Sequence, residues 1–106
     1  MMFPKNMNEI MRQAQKMQER MNKIQEELQN REISATAGGG MVEATVNGKG
    51  SILALKLEKD VVDPDDINML CDLIVAAVAE AQRQSGQMME QEMSAITGGL
   101  KMPGIF

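Results

Sequence analysis

Residues 5–30, KNMNEIMRQAQKMQERMNKIQEELQN, carry apolar side chains at alternating steps of three and four. These residues are Met7, Ile10, Ala14, Met17, Met21, Ile24 and Leu28. The spacing is that of a heptad repeat and predicts one long helix with a narrow apolar stripe. Such a helix approaches ~39 Å, whereas a compact domain of this length has a radius of gyration of about 13 Å. We therefore expect the helix to project or to pair with a second copy, and a homo-oligomer is the default expectation.

The same helix carries four cations at steps of four, four and three, and we call them the cationic row: Arg12, Lys16, Arg20 and Lys23. At 100° per residue the row spans about 80° and lies roughly 135° from the centre of the apolar stripe. A row of cations suits contact with phosphates. The alternative is a solvated face with ion pairs, for which Glu19–Lys23 and Glu27–Arg31 have suitable spacing. Charge geometry alone favours that alternative, because Glu9 and Glu27 also point close to the row.

Composition indicates one domain with an aliphatic and methionine core. The chain has 106 residues, two Phe, no Trp, no Tyr and twelve Met, and Met is an adaptable filler of apolar space. The net charge of −4 argues against simple attraction to nucleic acid. The charge is uneven, however, with seven basic and six acidic residues in 1–50, and four basic and nine acidic in 51–106. A local basic surface can bind phosphates on an acidic protein, because contact depends on the local field.

Several classes of protein are disfavoured by what the sequence lacks. A single cysteine, Cys71, rules out an intramolecular disulfide and suits a reducing compartment. The absence of His excludes a histidine base or metal ligand. The longest apolar run, residues 73–79, is far shorter than a membrane span of ~20 residues, and the first fifteen residues lack the apolar core of a signal peptide. We expect a soluble, cytosolic protein.

Short alternating runs after the first helix predict three antiparallel strands. The first covers residues 33–37, a glycine turn follows at 38–40, and the second strand covers 41–46. Asn47-Gly48 predicts a hairpin with a type I′ turn, which needs positive φ at both positions. The third strand covers residues 51–58, with Leu53, Leu55 and Leu57 on one face and Ile52 and Ala54 on the other. The sheet is therefore a small meander with one strongly apolar side.

A second long helix is predicted from Asp63-Pro64-Asp65-Asp66 onward. Asp63 is the expected N-cap and Pro64 the expected first helical residue. The expected apolar face comprises Ile67, Leu70, Ile74, Ala77, Val78 and Ala81, with a continuation at Met88, Met89, Met93 and Ile96. Gly86 is a point where a bend or break is possible, because Gly costs ~1 kcal/mol relative to Ala inside a helix. Thr97-Gly98-Gly99 ends the helix, so the domain covers residues 1–99 and residues 100–106 form a Pro/Gly tail.

No catalytic, cofactor or metal motif is complete. Residues 48–51, GKGS, lack the leading glycine of a phosphate loop and have Gly50 where Ser or Thr should follow Lys. The aspartates at 60–66 lack calcium-loop spacing, and helix capping explains most of them. Cys71 is predicted to be a buried structural thiol, since it lies among the apolar residues of the second helix and no His is available to activate it. We therefore expect neither an enzyme nor a cofactor.

The order of motifs resembles the YbaB/EbfC family of bacterial nucleoid-associated proteins nearly end to end. The residues that carry the resemblance are Asn6-Met7, MRQAQKMQ at 11–18, AGGG at 37–40 with Val42, VNG at 46–48, VDPDD at 62–66, Leu70, DLIVAA at 72–77, TGGL at 97–100, Pro103-Gly104 and Ile105-Phe106. The resemblance implies an α+β protomer of order α-β-β-β-α, forming a homodimer through its central sheet, with the long helices as projecting arms. It also implies non-catalytic binding of duplex DNA with little sequence preference, in the nucleoid of a bacterial cytoplasm, with effects on nucleoid organisation and gene expression.

Carried over by position, the resemblance places Lys16, Arg20 and Lys23 on the DNA-binding arm. Arg12 belongs to the same row, and Arg83 and Lys101 are weaker candidates from the second helix and the tail. The expected partners are double-stranded DNA and a second copy, with no membrane and no small-molecule substrate. The alternative function is a protein-interaction adaptor whose Met-rich arms clasp a helical partner.

Overall fold

The computed structural model describes residues 3–97, and among these the side chains of residues 6–96. The chain forms helix α1 (Phe3–Asn30), strands β1 (Glu32–Ala37), β2 (Val42–Asn47) and β3 (Ile52–Leu57), a 3₁₀ turn (Lys59–Val61) and helix α2 (Ile67–Thr97). This order confirms the predicted α-β-β-β-α fold. The long axis is 76 Å and the radius of gyration 20.4 Å, well above the ~13 Å of a compact domain of this size.

The three strands form one antiparallel sheet of order β1-β2-β3, which α2 covers on one face. Alternate residues of β2 point to the helix, so Val42, Ala44 and Val46 are buried completely. On α2, Ala77 and Ala81 are also fully buried, and their small side chains allow the helix backbone to approach the sheet closely. The helix packs on β1 and β2, and all six residues of the edge strand β3 remain exposed.

The register of β3 differs from the simple alternation predicted. Thr45 lies opposite Ala54 and Val46 lies opposite Ile52, so Leu53 is an extra residue in β3. The prediction that Ile52 and Leu55 lie on opposite faces was therefore wrong. A bulge of this kind leaves one residue unpaired and shifts the side-chain alternation beyond it.

The predicted hairpin between β2 and β3 is confirmed, but its turn is not of type I′. Among residues 3–97 no residue other than glycine has positive φ, and in this hairpin Gly50 has φ +88°. The backbone N–H of Gly50 donates to the carbonyl of Asn47 (3.0 Å), and the Asn47 side chain accepts from the N–H groups of Lys49 (2.9 Å) and Ser51 (3.0 Å). Asn47 therefore organises a three-residue loop closed by a glycine, since its amide replaces the missing backbone partners.

Helix α2 begins later than predicted and runs without a break. Asp66, not Asp63, is the N-cap, and its carboxylate accepts the N–H of Met69 (3.3 Å). Asp63 instead forms a preceding turn, with its side chain accepting the N–H of Asp65 (2.9 Å), so Pro64 lies in that turn and not in the helix. Gly86 lies inside the continuous helix, where the backbone hydrogen-bond ladder and packing on both sides maintain the helical conformation.

Cys71 is exposed, so the prediction of a buried thiol was wrong. Ile67, four residues earlier, is 50% exposed, and Val75, four residues later, is 66% exposed. Residues four apart share one side of a helix, and this side does not face β1 and β2. The apolar character of the neighbours misled the prediction, because α2 is apolar on more than the side that the sheet covers.

The hairpin loop between β2 and β3 anchors both helices. The N–H of Gly48 donates to the carbonyl of Leu28 at the end of α1 (2.7 Å), and Leu28 is 1% exposed. From α2, the buried Ser85 hydroxyl donates to the carbonyl of Asn47 (3.0 Å), and Gln82 donates to the carbonyl of Gly50 (3.0 Å). The loop therefore fixes where α1 leaves the domain.

Replacing Gly48 with Ala is expected to destabilise the fold by about 1–3 kcal/mol, the usual cost of overpacking. A Cβ at this position would lie 2.5 Å from the Leu28 carbonyl oxygen and 2.8 Å from the Leu28 Cβ, so α1 must move away. The matched control is Gly86→Ala, which meets nothing within 4 Å. Both free energies of unfolding are measured by urea denaturation at one protein concentration. The control should raise the free energy of unfolding by about 0.5–1 kcal/mol, because Ala is favoured over Gly inside a helix. Equal effects of the two substitutions would contradict the proposed anchoring.

Candidate nucleic-acid interface

The cationic row lies on the part of α1 that projects from the domain. Arg12, Lys16, Arg20 and Lys23 are all exposed, on a helix without interruption. From the first to the last of them the helix rises about 16 Å. Arginine and lysine side chains at successive turns of one helix present a line of donors and positive charge, which is the chemistry that binds phosphate oxygens.

The described ion pairs do not neutralise the row. Among the side chains of residues 6–96 the ion pairs are Arg31–Glu92 (3.1 Å) and Arg83–Glu80 (2.6 Å). The pairs that the sequence suggested for a solvated face, Glu19–Lys23 and Glu27–Arg31, are absent from this described set. The four cations of the row therefore lie outside the described ion pairs.

Arg31 joins α1 to α2 and does not belong to the cationic row. It follows the last residue of α1, and its guanidinium donates to the Glu92 carboxylate (3.1 Å) and contacts the Met88 sulfur (3.3 Å) of α2. Helical spacing predicted a partner on α1, but the helix ends at Asn30, so the spacing rule no longer applies. Arg31 therefore joins the end of α1 to the distal half of α2.

Arg83 is held by an acidic neighbour on its own helix. Its Nε donates to Glu80 Oε1 (2.9 Å) and its Nη2 to Glu80 Oε2 (2.6 Å), while Gln84 donates to Oε2 (3.0 Å). The hydrogen bond from Arg83, followed by the one from Gln84, lowers the pKa of Glu80 to about 2. The same pair raises the pKa of Arg83. A phosphate that bonds Arg83 through Nε and Nη2 has to displace Glu80 from them, and Lys101 lies outside the described residues.

Two further exposed regions are apolar, the strand β3 and the side of α2 that the sheet does not cover. On the strand, Ile52, Leu53, Leu55 and Leu57 are each 41–53% exposed. One edge of β3 has no strand beside it among the described elements, so its backbone groups are available for pairing. The sequence indicated the apolar strand but missed the contribution of Ile67 and Val75, because a helix that is apolar on two sides does not reveal which one the sheet covers.

The described residues contain no group of three or more Cys, Asp or Glu side chains placed to hold a metal ion. No helix within residues 3–97 is long and apolar enough to cross a bilayer. The features that stand out on this surface are the cationic row on a projecting helix and the apolar edge of a small sheet.

The sequence profile of the YbaB/EbfC DNA-binding family matches residues 2–100, and the chain belongs to this family. It is 52% identical over 101 residues to a nucleoid-associated protein of Clostridium novyi, covering 95% of this chain and 89% of that protein. It is 56% identical over 98 residues to a nucleoid-associated protein of Agathobacter rectalis, covering 92% of this chain and 87% of that protein.

The fold also matches a solved structure at low sequence identity. An uncharacterized protein of Helicobacter pylori superposes with a TM-score of 0.73 and 16% identity, covering 80% of this chain and 89% of that one. At this identity the match concerns the fold alone. It agrees with the order of helices and strands described above.

Lowering the pH should protonate Glu80 only near pH 2, well below the ordinary carboxyl pKa of 4.5. A lowered pKa stabilises the folded state above pH 4.5, and this contribution is lost as pH falls toward 2. Replacing Arg83 with Gln should raise the Glu80 pKa toward 4.5, because the hydrogen bond that lowers this pKa most is removed. Carboxyl ¹³C NMR titration measures both values. An unchanged Glu80 pKa in the variant would contradict the assigned pair.

Proposed function

We propose that the protein is a non-catalytic homodimer that binds duplex DNA with little sequence preference. Its place would be the bacterial nucleoid in the cytoplasm, where it would help to organise DNA and modulate gene expression. The observation that carries the proposal is the cationic row, exposed and outside the described ion pairs on a helix that projects from the domain. Membership of a DNA-binding family and the names of the relatives support the same ligand.

The proposed contact is electrostatic and is made to the phosphate backbone. Lysine and arginine at successive helical turns meet phosphates and release counterions, so affinity falls steeply with salt. Phosphate contacts position a protein on DNA without reading base identity. Arg12, Lys16, Arg20 and Lys23 are the proposed DNA-binding residues. Arg83 is a secondary candidate because Glu80 competes for its guanidinium, and Lys101 keeps its place on the basis of the family resemblance.

The proposed dimer forms through the apolar surface on β3. An edge strand with exposed leucines on a small sheet is a site for pairing with another strand, and a second copy supplies an identical edge. Burying Leu55 and Leu57 there removes from water the apolar area that the monomer exposes. The dimer would carry two arms and eight cations. If all eight contact phosphates, the logarithm of the binding constant should fall with the logarithm of the salt concentration with a slope of about −7.

The alternative function is an adaptor that clasps a helical partner protein with its Met-rich arms. The observation that favours it is the exposure of Met7, Met11 and Met17 on α1. Methionine-rich surfaces adapt to several partners. In this case DNA binding would be absent at physiological salt, and truncating Met17 and Met21 would remove partner binding.

Replacing Lys16, Arg20 and Lys23 together with Gln should nearly abolish DNA binding. Six of the eight proposed contacts per dimer are lost, and the salt slope should fall from about −7 to about −2. The measurement is fluorescence anisotropy of a random duplex across a salt series. The control is Lys49 and Lys59 changed to Gln, which removes two charges per protomer from exposed positions off α1 and outside β3 and should leave the slope nearly unchanged. Equal losses in both variants would mean that net charge alone, and not the row, determines binding.

Replacing Leu55 with Glu should convert the dimer to a monomer. Each buried leucine contributes about 1.5–3 kcal/mol, and a twofold dimer loses two of them. The dimer dissociation constant should therefore rise at least about a hundredfold. Light scattering gives the mass, and circular dichroism checks that the helices remain. The control is Thr36→Glu, on the exposed part of β1 at the other edge of the sheet, which should remain dimeric. A monomeric native protein would refute the proposed dimer.

A further inference from the structure

The ion pair between Arg31 and Glu92 attaches the last turn of α1 to α2. One guanidinium nitrogen, Arg31 Nη1, lies 3.1 Å from the Glu92 carboxylate and 3.3 Å from the Met88 sulfur. The backbone N–H of Arg31 donates to the carbonyl of Leu28 (3.2 Å), so Arg31 is tied to the end of the helix although it follows its last residue. A movement of α1 relative to α2 therefore changes the geometry of this pair.

The other attachments of α1 hold the helix without fixing its angle. The Gly48 N–H donates to the Leu28 carbonyl at 2.7 Å, which is a single point. Leu28 is buried and Met21 and Ile24 are half-buried, but apolar packing is non-directional and methionine adapts to its neighbours. A hydrogen bond between two charged groups requires a short distance and a defined geometry. The ion pair therefore adds a restraint on the angle between α1 and α2.

A small change of this angle displaces the cationic row by a large distance. From Leu28 to Arg12 the helix rises about 24 Å. A rotation of about 10° at Leu28 moves Arg12 by about 4 Å, the separation beyond which two charged groups no longer form an ion pair. In the proposed dimer two arms meet one duplex, and both need a suitable orientation at the same time.

We propose that Glu92 is a positioning residue for DNA binding, because it holds Arg31 and thereby the angle at which α1 presents the cationic row. This inference rests on the proposed function and adds to it an acidic residue that promotes binding to a polyanion. An arm that is held in one orientation loses less conformational freedom on binding than an arm that turns.

The expected contribution is modest for one arm and larger for the dimer. The ion pair is partly exposed, with side-chain exposures of 45% for Arg31 and 31% for Glu92. Exposed pairs change an equilibrium by about 1.5- to fivefold. Two arms that have to engage together multiply this effect to about two- to twenty-five-fold.

Glu92→Gln tests the proposal against simple electrostatics, since the two predict opposite changes in affinity. The substitution removes an acidic charge close to α1 and frees the Arg31 guanidinium, so electrostatics alone would strengthen DNA binding. The matched control is Glu90→Gln, which removes the same charge from an exposed position of α2 outside the described ion pairs. Positioning predicts that Glu92→Gln binds a random duplex about two- to twenty-five-fold more weakly than this control in fluorescence anisotropy. Equal or tighter binding by Glu92→Gln would overturn the proposal.

Exchanging the two residues separates the ion pair from the identity of Glu92. The double variant Arg31→Glu with Glu92→Arg keeps the net charge and can form the same pair in the opposite direction. It should recover most of the affinity that Glu92→Gln loses, with circular dichroism as the check that the helices remain. An affinity as low as that of Glu92→Gln would contradict a role for the pair.

The orientation of the arm is measured without DNA by double electron–electron resonance. Nitroxides are attached at Gln15→Cys on α1 and Gln87→Cys on α2, both exposed positions, in a Cys71→Ser background. An excess of unlabelled protein restricts the measured distances to one protomer. Glu92→Gln should broaden the distance distribution and Glu90→Gln should not, so equal widths would refute the restraint. If the native protein does not bind DNA, the proposed function fails, whereas the widths still decide whether Glu92 holds the arm.

Discussion

The arrangement of the molecule depends on one close approach, between the backbone of Gly48 and the last turn of α1. The Gly48 N–H donates to the Leu28 carbonyl at 2.7 Å, and a side chain at position 48 would collide with that carbonyl. Helix α1 contacts little else: the distal part of α2 and the end of β2. A helix held only near its C-terminus takes its direction from that anchor. Because Ser85 holds the other side of the same loop, the orientation of the arm is tied to the packing of α2 on the sheet.

This anchoring explains why the apolar stripe of α1 is buried at one end and exposed at the other. Near the anchor the apolar stripe is buried and contributes to the core, so its residues there stabilise the folded protomer. Beyond the end of α2 the same heptad spacing no longer serves the monomer's core, and Ile10 is 59% exposed. The described part of the protomer therefore leaves this section of the stripe uncovered. The cationic row lies on another face of the same helix.

Periodicity predicted the elements of this fold, and local side-chain chemistry decided the details that periodicity missed. The heptad spacing of α1 and the alternation of β2 placed those elements within a residue or two, because burial of one face imposes the period. The turn at Asn47 was misassigned since its amide oxygen accepts two backbone N–H groups, which a pattern of residue types does not reveal. Cys71 was misassigned because α2 is apolar on a side that the sheet does not cover. The cationic row was visible in the sequence, but only the structure shows that its members lie outside the described ion pairs, because i,i+4 spacing permits the Glu19–Lys23 pair without requiring it.

A protein with net negative charge can present a cationic surface if its acidic residues pair with cations elsewhere in the molecule. In the second half of this chain Glu92 binds Arg31 and Glu80 binds Arg83, so two carboxylates are used in fixing α1 to α2 and in holding a surface guanidinium. Neither contact involves the row on α1. The acids of α1, such as Glu19, lie on the same helix as the row but form no described ion pair with it. Phosphate attraction is governed by charges within about a Debye length of ~8–10 Å, so the glutamates of α1 itself affect the row more than the acids of the sheet and of α2. The net charge of −4 is therefore a poor guide to what this arm attracts.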